Sequence, residues 1–302
     1  MSKNQSQQIV LVGGAMRSGT TVIHRALCTS ENSNPYISES WFLYDLFTLY
    51  KWNLTRYDVR NKDQFGDVNN FKTLIYNNIR NYFSIVSAKY NDPQVLFFKH
   101  PEITQHFSEL SDEFSQMKFI VIVRDPRDVI SSMMEVAKKH EKENIVSPQT
   151  RLRSVAEYCA SYIRYYSVLK DAVKLKSRMI LIKYEDFMAD PKSSLERVTN
   201  LTGAKFDLSV ASKFSANKTD SLNFDKELRL ADPISAAFWS DLYTQSLSTE
   251  RIGAHKKNLK KDQISIIEKT LINFGSSFGY WKKPVVKDNI QKTSVDSINK
   301  KS

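Results

Sequence analysis

Cysteine is scarce in this sequence, with only Cys28 and Cys159 among 302 residues. The two lie far apart and form no CxxC pair, which argues against a disulfide framework and gives no sign of a zinc site. No apolar run approaches the roughly 18–20 residues that a membrane-spanning helix needs. The first residues, MSKNQSQQ, lack the apolar core of a secretory signal peptide. We therefore expect a cytoplasmic protein with no membrane anchor.

Acidic residues are in short supply toward the end of the chain. The net charge is +11, and residues 255–302 carry +7 of it, from eleven Lys against four acidic residues. Such a basic end is typical of a solvated tail. We predict one domain over residues 1–285 and a basic, disordered tail over residues 286–302. The sequence has no helix-turn-helix, RNP-like or Cys/His-finger pattern, so we expect no nucleic-acid partner. A polyanion-binding protein driven by charge alone is the non-enzyme alternative.

Short apolar runs alternate with longer helical patterns along the chain. Four of these runs are typical of buried strands, namely Gln8–Val12, Val95–Phe98, Lys118–Val123 and Arg178–Tyr184. Helical patterns separate them, including one long helix over residues 150–175. This alternation predicts an α/β fold, in which right-handed crossovers build a central parallel sheet flanked by helices on both faces. Ligands of such folds bind beyond the carboxyl ends of the strands.

The first strand leads into VGGAMRSGTTVIHRAL, which is similar to a phosphate-binding loop without its lysine. In the pattern G-x-x-x-x-G-K-[ST], Gly14 and Gly19 have the right spacing and Thr21 fills the last position. Thr20 replaces the lysine, and Arg17 stands inside the loop. The backbone amides of such a turn and of the helix after it form a cradle for an anion, and an arginine there adds a fork of donors. Further hydroxyl donors are Ser18, Thr20 and Thr21.

Chemically useful side chains also follow the other predicted strands. Arg124 leaves the third strand, and Ser132 lies eight residues further on, along the next helix. An arginine and a helical hydroxyl can hold a second phosphate; a turn salt bridge of Arg124 with a nearby aspartate is the structural alternative. Lys99 and His100 follow the second strand, and Tyr184 follows the fourth. We expect these residues to lie at the same edge of the sheet as the loop.

Together, GAMRSGTT, VIVRDPRDVISSM and KYEDFMADPKSSLERV resemble motifs of the PAPS-dependent sulfotransferase superfamily. PAPS is 3′-phosphoadenosine 5′-phosphosulfate. The first motif is similar to the family's 5′-phosphosulfate loop, the second to its 3′-phosphate motif, and the third to the strand–loop–helix that closes the core. The Arg-type loop resembles the carbohydrate- and tyrosylprotein-type branch more than the small-molecule branch. The resemblance implies a three-layer P-loop-like fold, PAPS as donor, PAP as product and no metal.

The resemblance also assigns roles to single residues. Lys99 matches the lysine that acts on the leaving phosphate. Two residues match catalytic bases of different branches: Glu39, twenty-two residues after Arg17, and His100, one position short of a K-x-H pattern. The register favours Glu39, and His100 stays the alternative. The implied cofactor-binding residues are Gly14, Arg17, Ser18, Gly19, Thr20 and Thr21 at the 5′ end, Arg124 and Ser132 at the 3′-phosphate, Tyr184 in the nucleotide pocket, and Lys256 and Lys257 beside His255 in a basic loop over the cofactor.

The implied reaction is in-line transfer of a sulfuryl group from PAPS to a hydroxyl or amine of a small metabolite or carbohydrate. A base removes the acceptor's proton, and cations stabilise charge on the leaving group. A P-loop nucleotide kinase is the enzyme alternative, although the missing lysine at Thr20 counts against it. We expect a monomer or a homodimer. Residues 208–260 have the least regular pattern and are a candidate lid or acceptor-binding insertion.

Overall fold

A computed structural model describes residues 7–145, 153–208 and 247–282. At its centre is one sheet of four parallel strands in the order β2-β1-β3-β4. The strands are β1 (Gln8–Gly14), β2 (Val95–Lys99), β3 (Lys118–Val123) and β4 (Met179–Lys183). Each predicted strand is present, with bounds that differ from the prediction by at most two residues at an end. The predicted α/β fold with a central parallel sheet is confirmed.

Both faces of this sheet are buried, which explains why its strands are nearly continuous apolar runs. Leu11 of β1 and Phe119 and Val121 of β3 pack into one core. Their chain neighbours Val10 and Ile120 point the other way and pack into a second core. β1 pairs with β2 on one side and with β3 on the other, and β4 extends the sheet beyond β3. The prediction of helices on both faces is therefore confirmed as well.

The described helices are α1 (Thr20–Leu27), α2 (Trp41–Leu54), α3 (Tyr57–Arg60), α4 (Lys62–Phe65), α5 (Val68–Lys89), α6 (Phe107–Glu113), α7 (Pro126–Lys142), α8 (Val155–Tyr165), α9 (Ala172–Leu175), α10 (Tyr184–Ala189), α11 (Pro191–Thr202), α12 (His255–Asn258), α13 (Lys261–Thr270) and α14 (Ile272–Ser277). Helices α2, α5, α7 and α8 contribute to the first core, and α1, α10 and α11 to the second. No helix of the described residues is long and apolar enough to cross a membrane.

The long helix predicted over residues 150–175 is wrong in its second half. Helix α8 ends at Tyr165, and a 3-10 turn over Ser167–Asp171 separates it from the short helix α9. Tyr165 and Tyr166 are both buried. The Tyr165 hydroxyl donates to Glu102 at 2.5 Å, and the Tyr166 hydroxyl donates to the Ile122 carbonyl at 3.0 Å. Consecutive residues of an α-helix do not face the same way, so burying both rings favours a break in the helix here.

The free edge of β2 is covered by the segment between α1 and α2. The buried Asn34 side chain makes the hydrogen bonds there that the backbone of a neighbouring strand would make. Its Oδ1 accepts from the Phe97 amide at 2.7 Å, and its Nδ2 donates to the Phe97 carbonyl at 3.2 Å. Further along, the Ser40 amide donates to the Lys99 carbonyl at 2.9 Å. The segment therefore runs beside β2 and reaches the carboxyl edge of the sheet just before α2 begins.

The carboxyl ends of all four parallel strands lie at one edge of the sheet, and the predicted site residues follow them. The glycine-rich loop comes after β1, Lys99 ends β2, Arg124 follows β3, and α10 begins immediately after β4. The predicted tail over residues 286–302 and most of the irregular region over 208–260 lie outside the described residues. The division of the chain into one domain and a tail therefore stays a prediction.

Candidate active site

The loop after β1 has the backbone shape of an anion cradle. Gly14, Arg17 and Gly19 all have positive φ, at +139°, +67° and +93°. A Cβ at Gly19 would lie 2.3 Å from the Tyr184 ring, so only glycine fits at this turn. Gly19 is the N-cap of α1 and provides no side-chain cap. The first amides of α1 therefore have no intrahelical partner, and the positive end of the helix dipole favours an anion here.

Two side chains from elsewhere in the fold fix the shape of this loop. The Gly14 amide donates to Thr104 Oγ1 at 2.8 Å. The Tyr166 hydroxyl accepts from the Ala15 amide at 3.4 Å and donates to the Ile122 carbonyl at 3.0 Å. Burial raises the pKa of Tyr166 to about 12, so this hydroxyl keeps its proton. Thr104 and Tyr166 were not predicted as site residues, because nothing in their local sequence distinguishes them from ordinary core residues.

Lys99, Glu39 and Thr21 meet at the end of β2. Lys99 Nζ donates to Glu39 Oε1 at 2.5 Å and to Thr21 Oγ1 at 3.0 Å. The Lys99 side chain is only 1% exposed, whereas that of Glu39 is 24% exposed. A buried ammonium needs an anionic or polar partner, and Glu39 provides one while part of its side chain still reaches solvent. The predicted base and the predicted leaving-group lysine are therefore in direct contact.

His100 lies beside this pair but in a different environment. Its ring stacks on Tyr44, with centroids 4.5 Å apart, and meets the edge of Trp41 at 4.6 Å. Burial lowers the pKa of His100 to about 4, so the imidazole is neutral at pH 7. Neither of its ring nitrogens has a hydrogen-bond partner among the described residues. Of the two candidate bases, only Glu39 hydrogen-bonds to Lys99.

The loop and the second motif are joined through two arginines. Arg124 Nη1 donates to the Arg17 carbonyl at 3.1 Å, and Arg17 Nε donates to Ser132 Oγ at 3.1 Å. The family resemblance implies that Arg17 binds the 5′ end of the cofactor and Ser132 its 3′-phosphate. The two groups of residues instead form one continuous donor surface, because the left-handed backbone of Arg17 lets its side chain reach α7.

Tyr184 is a buried support beneath this surface. The Arg124 guanidinium lies over its ring, 4.3 Å from the centroid, and Gly19 packs against the same ring. The next residue, Glu185, accepts from the Asp125 amide at 2.9 Å and from the Tyr280 hydroxyl at 3.0 Å. Burial raises the pKa of the Glu185 carboxyl. Tyr184 and Glu185 thus tie the end of β4 to the loop, to the end of β3 and to the C-terminal part of the described chain.

A segment near α12 is attached to the first turn of α7. The Asp128 carboxylate accepts from the Gly253 amide at 2.8 Å, the His255 amide at 3.0 Å and His255 Nδ1 at 2.6 Å. Arg124 Nη2 donates to the Arg251 carbonyl at 2.6 Å. Burial on its own raises the pKa of Asp128, but the His255 and Gly253 hydrogen bonds and the Arg124 charge together hold it below its usual value.

The two lysines predicted over the cofactor take no part in these contacts. Lys256 and Lys257 are exposed on α12. Neither ammonium group makes a hydrogen bond or an ion pair within residues 7–145, 153–208 and 247–282. His255, which precedes them, is buried against Asp128. The structure thus joins His255 to the rest of the site and leaves Lys256 and Lys257 at its surface.

The donor set suits a doubly phosphorylated anion. Lys99, Arg17 and Arg124 supply three cations at one sheet edge, and the first amides of α1 add neutral donors. The Nε of Arg124 is buried with no hydrogen-bond partner in the described part of the chain. No group of three or more His, Cys, Asp or Glu side chains that could hold a metal ion occurs in that part of the chain. The three cations and the loop amides are donors of the kind that two phosphate groups need, and in this chemistry they fit PAP.

The fold and this loop define the class of the protein: an α/β protein with a P-loop-like turn that carries Thr20 at the lysine position. A family model described as "Sulfotransferase family" matches residues 9–207. The chain belongs to the sulfotransferase family. The sequence-based identification of the sulfotransferase superfamily is confirmed. The nucleotide-kinase alternative gains no support from this match.

Curated relatives come from the carbohydrate-type branch, as the Arg-type loop predicted. Carbohydrate sulfotransferase 5 of Mus musculus is 31% identical over 105 residues, which cover 31% of this chain and 27% of that protein. Carbohydrate sulfotransferase 6 of Homo sapiens is 30% identical over 105 residues, with the same coverage of both chains. The match thus spans little more than a quarter of the length of these relatives.

A solved structure shows a similar fold. The sulfotransferase domain from the curacin biosynthetic pathway superimposes with a TM-score of 0.53 at 14% identity. The alignment covers 88% of this chain and 98% of that domain. At this identity the likeness supports the P-loop-like α/β fold alone.

Proposed function

We propose that this protein transfers a sulfuryl group from PAPS to a hydroxyl or amine of a small metabolite or carbohydrate and releases PAP. The observation that carries the proposal is the contact of Lys99 with both Glu39 and Thr21. This contact lies beside the glycine-rich loop, which Arg17 joins to Arg124 and Ser132 by hydrogen bonds. A base, a buried cation and two groups of phosphate donors are the parts that such a reaction needs.

PAPS supplies the sulfuryl group, which is bonded to its 5′-phosphate. The loop amides, with Ser18, Thr20 and Thr21, hold that phosphate. Arg124 and Ser132 hold the 3′-phosphate, and Arg17 lies between the two sets of donors. Lys99 places its charge where the departing phosphate becomes more negative, which stabilises the transition state. No metal is needed for these roles.

Glu39 is the proposed base, and it accepts the proton of the acceptor's hydroxyl or amine. Its contact with Lys99 keeps the carboxylate at the reacting edge, and its partial exposure leaves it open to an acceptor. His100 stays the alternative base. The low pKa of its imidazole makes it a weaker proton acceptor than an ordinary histidine, because a good general base has a pKa near the working pH.

The position of Trp41 favours an acceptor that has an apolar face or ring. Its amide donates to the Glu39 carbonyl at 2.8 Å, and its side chain is 53% exposed. The indole packs against His100, next to Lys99 in the chain, and its exposed part offers a flat apolar contact at this end of the site. A sugar ring or another small cyclic acceptor fits this arrangement, in keeping with the carbohydrate sulfotransferases among the relatives.

A turnover assay with matched variants tests the proposal. The purified protein is incubated with PAPS and a panel of carbohydrates and small alcohols or amines, and products are analysed by mass spectrometry. We expect at least one acceptor to gain the mass of a sulfuryl group while PAP accumulates. Glu39→Gln should abolish this gain, and Glu31→Gln, a change on an exposed residue of the same segment, should not.

The proposal fails if no acceptor gains that mass while the same preparation consumes ATP in the presence of Mg²⁺. If Glu39→Gln turns over as fast as the unchanged protein, the assignment of the base is wrong. Cytoplasmic location and a monomeric or homodimeric state stay predictions.

A further inference from the structure

We propose that His255 is a positioning residue for 3′-phosphate recognition: by occupying the Asp128 carboxylate, it leaves the Arg124 guanidinium available to that phosphate. This inference rests on the proposed function, because it assumes that Arg124 binds the 3′-phosphate. It adds a role for a buried pair formed by Asp128 of the second motif and His255, which lies outside both phosphate motifs.

Asp128 and Arg124 are close enough to compete. They lie four residues apart, Arg124 just before α7 and Asp128 in its first turn, and Arg124 Nη2 is 4.0 Å from Asp128 Oδ2. Both side chains are buried, at 9% and 1% exposure. A buried carboxylate next to a buried guanidinium would ordinarily form a direct bidentate pair. Such a pair would neutralise the arginine before an anionic ligand could use it.

Donors other than Arg124 hydrogen-bond to the Asp128 carboxylate. Three donors of one segment, the Gly253 amide, the His255 amide and His255 Nδ1, hydrogen-bond to its two oxygens at 2.6–3.0 Å. Gly253 has a φ of +76°, so the turn that aims its amide at Asp128 uses a left-handed backbone. With these three donors in place, the Asp128 carboxylate makes no direct hydrogen bond to the Arg124 guanidinium.

The same segment also holds Arg124 in place. The Arg251 carbonyl, two residues before Gly253, accepts from Arg124 Nη2 at 2.6 Å. On its other side, Arg124 Nη1 donates to the Arg17 carbonyl. The guanidinium is thus held by two neutral carbonyls, which orient it without cancelling its charge. Loss of the His255 imidazole would leave Asp128 with one donor fewer and Arg124 as its nearest cation.

Titrations with two nucleotides separate this role from a general structural one. PAP carries the 3′-phosphate and 5′-AMP lacks it, so the ratio of their affinities reports 3′-phosphate recognition alone. We expect His255→Leu to lower the PAP affinity by about 10- to 100-fold, the size of effect that misplaced contacts produce, and to leave 5′-AMP binding nearly unchanged. Because both affinities are measured on the same preparation, a smaller folded fraction in the variant affects both and leaves their ratio unchanged.

A double variant makes the test sharper. Asp128→Asn removes the charge that would capture Arg124, so Asp128→Asn/His255→Leu should recover much of the PAP preference lost in His255→Leu. A role confined to packing predicts the opposite, a double variant worse than either single one. The control is Glu135→Gln, which weakens the other contact between α7 and α12, from Asn258 Nδ2 to Glu135 Oε1. It should leave the ratio unchanged.

Two different failures can be told apart. If the unchanged protein binds PAP no more tightly than 5′-AMP, the proposed function fails at its 3′-phosphate site. If the unchanged protein prefers PAP and His255→Leu keeps that preference, or if the double variant loses more of it, the role of His255 is wrong and the proposed function stands.

Discussion

Lys99 joins separate parts of the chain through hydrogen bonds of its ammonium group. Its ammonium contacts Thr21 and Glu39, which are 78 and 60 residues away in sequence. The sequence predicted that Lys99 and Thr21 lie at one sheet edge, because the carboxyl ends of parallel strands lie together, whereas Glu39 was assigned to the site only by the family resemblance. It could not predict the direct ion pair, which depends on the path of the segment beside β2.

Replacing His100 by Phe separates the two candidate bases. Phe keeps the stacking on Tyr44 and Trp41, and it removes two buried nitrogens that have no partner among the described residues. Removing unsatisfied buried polar atoms costs nothing and can stabilise the fold. We expect the melting temperature to stay equal or to rise, and kcat to stay within about tenfold of the original, less than the loss that a missing general base causes. A kcat as low as that of Glu39→Gln would make His100 the base instead.

Replacing Trp41 by Ala tests the acceptor side of the site. We expect the KM for the acceptor to rise by about tenfold, equivalent to about 1.4 kcal/mol of lost contact, while the affinity for PAP stays unchanged. Steady-state kinetics and a PAP titration measure the two effects. The matched control is Trp52→Ala, on the same helix and 55% exposed, which should leave the acceptor KM as it was. Equal effects of the two changes would show that Trp41 has no special place beside the acceptor.

At the scale of secondary-structure elements, the segment between α1 and α2 matters because it carries Glu39. Asn34 bonds to both backbone groups of Phe97, and Ser40 bonds to the Lys99 carbonyl. Glu39 is therefore positioned by the edge strand rather than by the helix that follows it. This dependence is not visible in the sequence, where NPYISESWFL has no strand pattern.

Replacing Asn34 by Ala should reduce stability and activity together. The change leaves buried groups of Phe97 without their partner, at a cost of about 1–3 kcal/mol in the free energy of unfolding. Loosening the segment should also lower kcat more than it lowers PAP affinity. Denaturant unfolding and initial rates measure these effects. Asn78→Ala on α5, where the side chain bonds an exposed carbonyl of its own helix, should change stability by less than about 0.5 kcal/mol. Equal destabilisation by the two changes would contradict the bracing role of Asn34.

Sequence signals predicted the strand boundaries and failed where tertiary contacts decide. Local residues mark both ends of α11: Asp190 caps the helix by accepting from the Lys192 amide, and Gly203 ends it in a left-handed turn. The break after α8 had no such signal, since Tyr165 and Tyr166 are compatible with a helix and only their buried partners favour the break. The same contacts explain why Tyr166, a support of the loop, was missed.

At the scale of the whole molecule, two buried neutral histidines make the fold sensitive to acid. Burial lowers the pKa of His24 to about 3 and that of His100 to about 4. In the unfolded chain both titrate near pH 6.5, so below that value the unfolded state binds protons that the folded state does not. The stability is complete above about pH 6.5 and falls as the pH drops toward the folded-state values.

The size of this effect is measurable by urea unfolding at two pH values. Between pH 7.5 and pH 5, each histidine should remove about 2 kcal/mol from the free energy of unfolding. His100→Phe should therefore lose about 2 kcal/mol less over this interval than the unchanged protein does. The same loss in both proteins would mean that His100 takes up its proton in the folded state.

The account as a whole depends on one claim, that the edge formed by the loop, Lys99 and Arg124 binds a 3′,5′-diphosphonucleotide. Calorimetric titration of the full chain with PAP, with EDTA present and no Mg²⁺, tests it most directly. We predict saturable one-site binding, weakened about 10- to 100-fold in Arg124→Ala and in Arg17→Ala, as expected for loss of charged hydrogen bonds worth about 1.5–3 kcal/mol. Absence of PAP binding by the folded protein, or binding by both variants as tight as that of the unchanged protein, would contradict the claim.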